Sequence, residues 1–310
     1  MSRAGRIIAV ERGAEGLSRA ALLVDGRLED LLLDGPGDHL APESIHLARV
    51  DRLVPGLGTA FLRLGDGSQG WLRGGAHRPG AMVVVQVTRW ADPGKAVPVT
   101  DRVLYKGRLA ILTPGAPGAN IARGIRGHEA RERLAALGVQ ALEGISEQTG
   151  LVMRTAAAEA EDDEVLAEIA ALRAVADDTA AAAHGAEPRL LLGAPDAAAR
   201  AFRDWADPAP DSVIEDDDAF ERLGLWDAIG GLENPRVALP SGGFMLIEAT
   251  RAMVGVDINT GDNFGKGAAA ATNLAACPEL LRQLRLRGHH RAVIVDFAPA
   301  RKEARQGIDK

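Results

Sequence analysis

The chain has 310 residues, 46% of them hydrophobic, a formal net charge of −7 and one cysteine. That content is ample for a packed core or several small subdomains, while a lone Cys277 excludes an internal disulfide or a cysteine-built zinc centre, and the acidic balance argues against nucleic-acid binding by bulk charge. No basic leader followed by an apolar stretch opens the sequence and no apolar run reaches roughly eighteen residues, so a soluble, cytoplasmic chain without a membrane span is expected.

Residues 20–34 read as a hairpin, two apolar runs hinged at Asp25-Gly26 and ended by Gly35-Pro-Gly37. Between Ile45 and about residue 101, short β segments are broken by Gly and Pro, among them Arg49-Val50 and residues 58–64, 70–72 and 81–88. Their number points to a small five-stranded barrel, in which Phe61 and Trp71 are either core residues or stacking platforms. A Gly- and Pro-rich stretch from Thr113 to Arg123 precedes a helix over residues 127–137. It is followed by the strand-like Gly150-Leu-Val-Met-Arg-Thr155 and by a long Ala-rich scaffold helix over residues 162–184. Arg154 beside Thr155 makes a compact donor set, a guanidinium fork next to a hydroxyl, suited to a terminal phosphate monoester; the other reading of Arg154 is an ordinary salt bridge. Residues 201–232 read as a helical continuation of the subdomain begun by the N-terminal hairpin, with Asp216, Asp217 and Asp218 as exposed acids. The acidic residues 159–168 read as exposed surface too, as do His184, His289 and His290, which lack metal-ligand spacing, and Cys277-Pro278 reads as lying in or beside a helix start.

Near the end, two β runs each close on an aspartate: Met253-Val-Gly-Val-Asp-Ile-Asn-Thr260 and Arg291-Ala-Val-Ile-Val-Asp-Phe297. Period-two alternation sends Val254, Val256 and Ile258 to one face and Asp257 and Asn259 to the other. An Asp at a strand end is often only a turn former or a helix cap. Two such Asp on neighbouring strands could instead hold one hard cation, because Mg²⁺ takes few carboxylates and keeps several waters. A loop, Gly261-Asp-Asn-Phe-Gly-Lys-Gly267, follows the first run, and Thr272-Asn-Leu274 is expected to open a helix linking the two. Arg282, Arg285, Arg287 and Arg291 around that helix, and Arg301, Lys302 and Arg305 beyond it, are local basic clusters, either a solvated face or phosphate contacts.

The motifs Pro240-Ser-Gly-Gly243, Val256-Asp-Ile-Asn-Thr-Gly261, Thr272-Asn-Leu274, Arg282-Gln-Leu-Arg-Leu-Arg287 and Ile294-Val-Asp-Phe297 occur in the order found in the ribonuclease E/G family, and the chain resembles that family over nearly its whole length. The resemblance implies a multi-subdomain α+β architecture. Residues 1–37 and 196–243 would form an RNase H-like subdomain, 38–104 an S1-type OB-fold, 105–195 a 5′-phosphate sensor and 244–310 a DNase I-like catalytic subdomain. It further implies Mg²⁺, with Mn²⁺ as a substitute, on Asp257 and Asp296, with Asn259 positioning the site. Phe61, Trp71 and Lys95 would contact RNA, and Arg123, Arg154 and Thr155 would bind the 5′-phosphate. The implied activity is magnesium-dependent endonucleolytic cleavage of single-stranded RNA, preferably 5′-monophosphorylated, to 5′-phosphate products in rRNA and mRNA processing.

Against the family pattern, the sequence carries 14 residues after Asp296, fewer than the helix and strand expected to finish the sheet, and no cysteine pair for a zinc link. The expectation is a truncated catalytic subdomain in a monomer of short type without zinc. The alternatives are an RNA-binding protein with reduced or no catalysis, and a general oligonucleotide-binding module with a structural acid pair.

Overall fold

The computed structural model describes residues 5–13, 17–35, 39–74, 77–240 and 242–300. Two compact units divide the chain, one drawn from 1–33 and 210–310 and the other from 34–209.

The first unit opens with β1 (Arg6–Arg12), β2 (Ser18–Val24) and β3 (Arg27–Leu33), an antiparallel meander. Asp25 and Gly26 both have positive φ, 51° and 77°, the backbone that a two-residue hairpin turn requires, so the Asp-Gly reading of this turn holds. β1 is buried on both faces, Ile7 and Ala9 on one side and Ile8 and Val10 on the other, and so shows none of the alternation that marks a half-exposed strand.

The second unit begins with β4 (Ile45–Val54), β5 (Thr59–Arg63), β6 (Gln69–Arg73), β7 (Met82–Val87) and β8 (Val97–Thr100). They pair in the order β4-β5-β6-β8-β7, and β7 returns to β4. The five strands therefore form a closed barrel of OB-like connectivity, filled by Val50, Leu62, Leu72, Val85 and Val99. Next come β9 (Tyr105–Lys106), β10 (Ala110–Pro114), β11 (Gly118–Ile121), α1 (His128–Leu142), β12 (Thr149–Met153) and α2 (Asp162–Ala182). They build a four-stranded sheet in the order β11-β12-β10-β9, whose core includes Leu112, Leu134, Leu151, Met153 and Ile169. Glu168 of α2 belongs to this scaffold: its carboxylate accepts from the backbone N–H groups of Arg108, Leu109 and Ala110 at 2.7–3.0 Å, fixing the start of β10. β13 (Arg189–Leu192) lies outside this sheet and pairs with β4 of the barrel. α3 (Ala197–Asp204) closes the unit, its first turn capped by Asp196.

Back in the first unit, the stretch expected to be helical through residue 232 contains a strand, β14 (Ser212–Glu215), which lies parallel to β1. Only then follow α4 (Ala219–Arg222) and α5 (Leu225–Gly230), which bring Phe220 into the core of the β1-β2-β3 sheet. Asp216 and Asp218 are exposed and paired with Arg222. A second sheet has the order β15 (Arg236–Ala238), β16 (Phe244–Ala249), β17 (Met253–Asn259), β18 (Ala292–Asp296). Between its last two strands runs α6 (Ala268–Leu286), covering one face through Ala276 and Leu280.

Candidate catalytic face

β17 alternates as its sequence demands, with Val254, Val256 and Ile258 buried against the α6 side and Asp257 exposed on the other. β18 runs parallel to β17, and Asp257 is the register partner of Asp296. Neighbouring strands lie about 4.8 Å apart and paired residues point to the same face, so the two carboxylates project side by side from the open side of the sheet. Asn259, two residues on and on that same face, donates from Nδ2 to Asp257 Oδ2 at 2.8 Å. Among the described residues neither aspartate has a basic side chain as ion-pair partner.

Two like charges left uncompensated at adjacent positions destabilise a sheet, so pairing with each other is not what stabilises them there. No group of three or more His, Cys, Asp or Glu able to hold a metal exists among the described residues. Two hard oxygen donors on an open face fit a small divalent cation that keeps most of its water, and do not fit zinc, which takes nitrogen or sulfur ligands in a closed set.

In Pro240-Ser-Gly-Gly243, Gly242 has a φ of 83°, and Gly243 is explained by close approach. A Cβ on Gly243 would stand 2.4 Å from the Asn259 carbonyl oxygen and 2.8 Å from the Thr272 methyl, so only glycine lets this turn lie against the end of β17. α6 begins at Ala268 rather than at Thr272, and this puts Asn273 inside the helix, where it is 1% exposed. Its Nδ2 donates to the Ala298 carbonyl at 2.9 Å and its Oδ1 accepts from Ala298 N–H at 3.0 Å. The chain just past Asp296 is thereby fastened to α6. Cys277 also lies within the helix rather than at its start, its thiol donating to the Asn273 carbonyl, with Pro278 tolerated in the helix interior.

The arginines around α6 are committed to their own unit. Arg282 binds Glu279 and the Leu28 carbonyl, Arg285 the Glu29 carbonyl, Arg287 the Gln283 side chain and the Asn234 carbonyl, and Arg291 the Thr250 carbonyl. Arg301, Lys302, Arg305 and Ser241 lie outside the described residues.

In the second unit, Phe61 and Trp71 are register partners on β5 and β6. They stand half-exposed on the outside of the barrel, since the flanking Leu62 and Leu72 are the ones buried inside. Arg52 lies 4.6 Å over the Phe61 ring. Lys95 is exposed and paired with Asp92 at 2.8 Å. Thr155 lines a cleft of about 420 Å³ together with Arg108, Arg126 and the Gly124–Gly127 turn that leads into α1. Arg154, next to it, does not line that cleft. It donates to the Gly107 carbonyl at 2.6 Å and to Asp204 at 3.1 Å. Asp204 is bound in turn by Arg203, which forks onto Glu43 at 2.7 and 2.8 Å, and Glu43 also takes Lys106 at 3.1 Å. Burial would raise the Glu43 and Asp204 carboxyls, but the hydrogen bonds and charge of Arg203 outweigh it and hold both below their ordinary values. Arg123 is exposed and lies outside the cleft. Sequence reasoning missed Arg126, Asp204 and the Glu43–Arg203 fork, whose positions follow from tertiary contacts with no local pattern.

The sequence pattern of the ribonuclease E/G family matches residues 105–223 and 212–308, which takes in both aspartates. The chain belongs to the ribonuclease E/G family. Over 92% of its length it is 25% identical to a protein named ribonuclease E from a Nostoc species and 26% identical to one from a Synechocystis species, covering 48% and 49% of them. It is 25% identical, again over 92% of its length, to ribonuclease G of Escherichia coli, of which it covers 70%. The chain thus spans about half the length of the cyanobacterial relatives. Membership gives a common origin to the two motif-bearing strands, the turn at Gly243 and the helix carrying Asn273. No helix among the described residues is long and apolar enough to cross a membrane.

Proposed function

We propose that this chain is an endoribonuclease that hydrolyses phosphodiester bonds in single-stranded RNA during RNA processing, leaving 5′-phosphate products. The observation that carries the reading is the register of Asp257 on Asp296, two exposed carboxylates on one face with no basic partner among the described residues. Asp257 and Asp296 would hold a magnesium ion. When bound, such an ion supplies the charge that polarises a phosphoryl oxygen and the acidity that makes water a nucleophile at neutral pH. Asn259 keeps the Asp257 carboxylate in one orientation, and Asn273 keeps the segment after Asp296 in place, so that neither carboxylate has to reorganise during the reaction.

Phe61 and Trp71 offer adjacent π-faces to unpaired bases, with Arg52 against Phe61 and the exposed Lys95 of the same unit as candidates for the RNA backbone. The cleft lined by Thr155 and Arg126 is the proposed reader of a 5′-monophosphate, with Arg154 and Arg123 near it in sequence but outside its lining, and binding energy there improves positioning at a distant bond. In this reading residues 105–195 are the sensor, residues 1–37 and 196–243 an RNase H-like subdomain, and residues from 244 on the catalytic subdomain.

The test is cleavage of a short A/U-rich RNA labelled at its 3′ end, carrying a 5′-monophosphate or a 5′-hydroxyl, in magnesium or EDTA. Wild type should cut only in magnesium and faster with the monophosphate, and Asp257→Asn and Asp296→Asn should each abolish cutting. Tight binding by wild type with no cutting would replace the reading with that of an RNA-binding protein.

A further inference from the structure

The open face of the second sheet of the first unit carries more than the two acids. Reading across the strands in register, Arg236 of β15 pairs with Leu246 of β16, Leu246 with Asp257, and Asp257 with Asp296. Val237 turns into the core, so its neighbour Arg236 stands on the same face as the aspartates. Two strand spacings, about 10 Å, separate the backbone of Arg236 from that of Asp257.

The guanidinium of Arg236 lies over the ring of Phe244, its central carbon 3.3 Å from the ring centroid. Phe244 is itself the register partner of Asn259. Stacking occupies one face of the guanidinium plane and holds it still, while the donors around its edge stay available. Where Arg282 and Arg285 of the same unit sit beside carboxylates, Arg236 has no acidic partner among the described residues. A braced, unneutralised cation on a sheet face that otherwise displays acid is suited to an anion lying across the strands.

We infer that Arg236, braced on Phe244, binds a backbone phosphate of single-stranded RNA that flanks the bond addressed by Asp257 and Asp296. The inference rests on the reading of this face as an RNA hydrolase site. A single strand crossing from β18 toward β15 places its scissile phosphate at the carboxylate pair and its neighbour over the guanidinium edge, where in-plane N–H donors match a phosphate's oxygens. One side chain thereby fixes the register of the substrate along the face.

The experiment measures binding of a cleavage-resistant 2′-O-methyl RNA single strand to the full chain at several salt concentrations, for wild type, Arg236→Ala, Arg236→Gln and Arg236→Lys. Far-UV circular dichroism verifies folding, sedimentation is followed in parallel, and cleavage of the unmodified strand is run alongside. Removing one charge-assisted phosphate contact should weaken binding on the order of tenfold and lower the slope of log K against log salt by about 0.7. Arg236→Gln should match Arg236→Ala. Arg236→Lys should recover the slope but not the full affinity, because it keeps the charge and loses the planar stack. Equal affinity and slope in wild type and a folded Arg236→Gln would overturn the inference, as would a loss of self-association in that variant with RNA binding intact. If wild type binds but never cuts while the slope still drops, the hydrolase reading fails and the phosphate contact stands. If wild type neither binds nor cuts, both fall.

Discussion

The side-chain amide of Asn273 closes two hydrogen bonds with the backbone of Ala298, one given and one received, two residues past Asp296. Such a reciprocal pair, fully buried, fixes the exit of β18 more tightly than packing alone. Asn273→Ala should lower kcat on the order of tenfold with KM unchanged, and shift the magnesium concentration for half-maximal cleavage upward. Loss of the two bonds also costs stability, about 1–3 kcal/mol. Direct Mn²⁺ binding by electron paramagnetic resonance separates the two effects: a folded variant that binds Mn²⁺ and turns over as wild type does removes Asn273 from the site.

Because Asp257 and Asp296 are in register and have no basic partner among the described residues, their mutual repulsion is a standing cost of the folded chain without metal. Asp257→Asn and Asp296→Asn should therefore each raise Tm slightly in EDTA, by an amount corresponding to about 0.5 kcal/mol. Added magnesium should raise the Tm of wild type and leave both variants where they are, since ligand binding to the native state stabilises it by mass action. Scanning calorimetry in EDTA and in magnesium reads both effects. Equal magnesium shifts in all three proteins would place the cation elsewhere.

The strands that carry this pair were legible because one of their faces is open: Val254, Val256 and Ile258 alternate with Gly255 and Asp257, and the pattern states which side each residue takes. The Asp25-Gly26 hairpin and the barrel are legible from turn chemistry, and the family motifs from resemblance. β1 was not, since Ile7 to Val10 are buried on both faces and no period marks them. β14 was missed because a four-residue strand among acids and prolines is defined by its partner β1, not by its own sequence. The sequence pattern points to Thr272 rather than Ala268 as the start of α6 because Gly267, its N-cap, offers no side chain to announce it. The roles of Arg282, Arg285, Arg287 and Arg291 were equally out of reach, for their carbonyl partners at residues 28, 29, 234 and 250 are distant in sequence.

The Glu43–Arg203–Asp204–Arg154 chain gives the second unit a pH dependence. Both carboxyls are held below their ordinary values of 4.5 and 3.8, so they release protons more readily folded than unfolded. Their contribution to stability is complete above about pH 5 and is lost as the pH falls through the depressed values. Glu43→Gln and Asp204→Asn should be less stable than wild type at pH 7 and should lose less on acidification to pH 3. Urea unfolding of the three proteins at pH 7 and pH 3 tests this, and parallel losses in all three would exclude the pair as the origin.

Phe61 and Trp71 sit outside the barrel while Leu62 and Leu72, their neighbours in sequence, are wholly buried inside it. Base stacking on an exposed ring is worth about 1–3 kcal/mol, whereas truncating a fully buried leucine costs about 2–5 kcal/mol of folding stability. Phe61→Ala and Trp71→Ala should therefore weaken single-stranded RNA binding on the order of tenfold each with little change in unfolding midpoint. Leu62→Ala and Leu72→Ala should do the reverse, lowering the midpoint while the folded fraction binds normally. Because Phe61 and Trp71 are register partners on adjacent strands, a base stacked on one is within reach of the other, and the double variant should lose less than the sum of the single ones. Fluorescence anisotropy with a short labelled oligonucleotide, run beside urea unfolding, separates the two classes. Aromatic variants that lose stability but keep affinity would return both rings to a packing role.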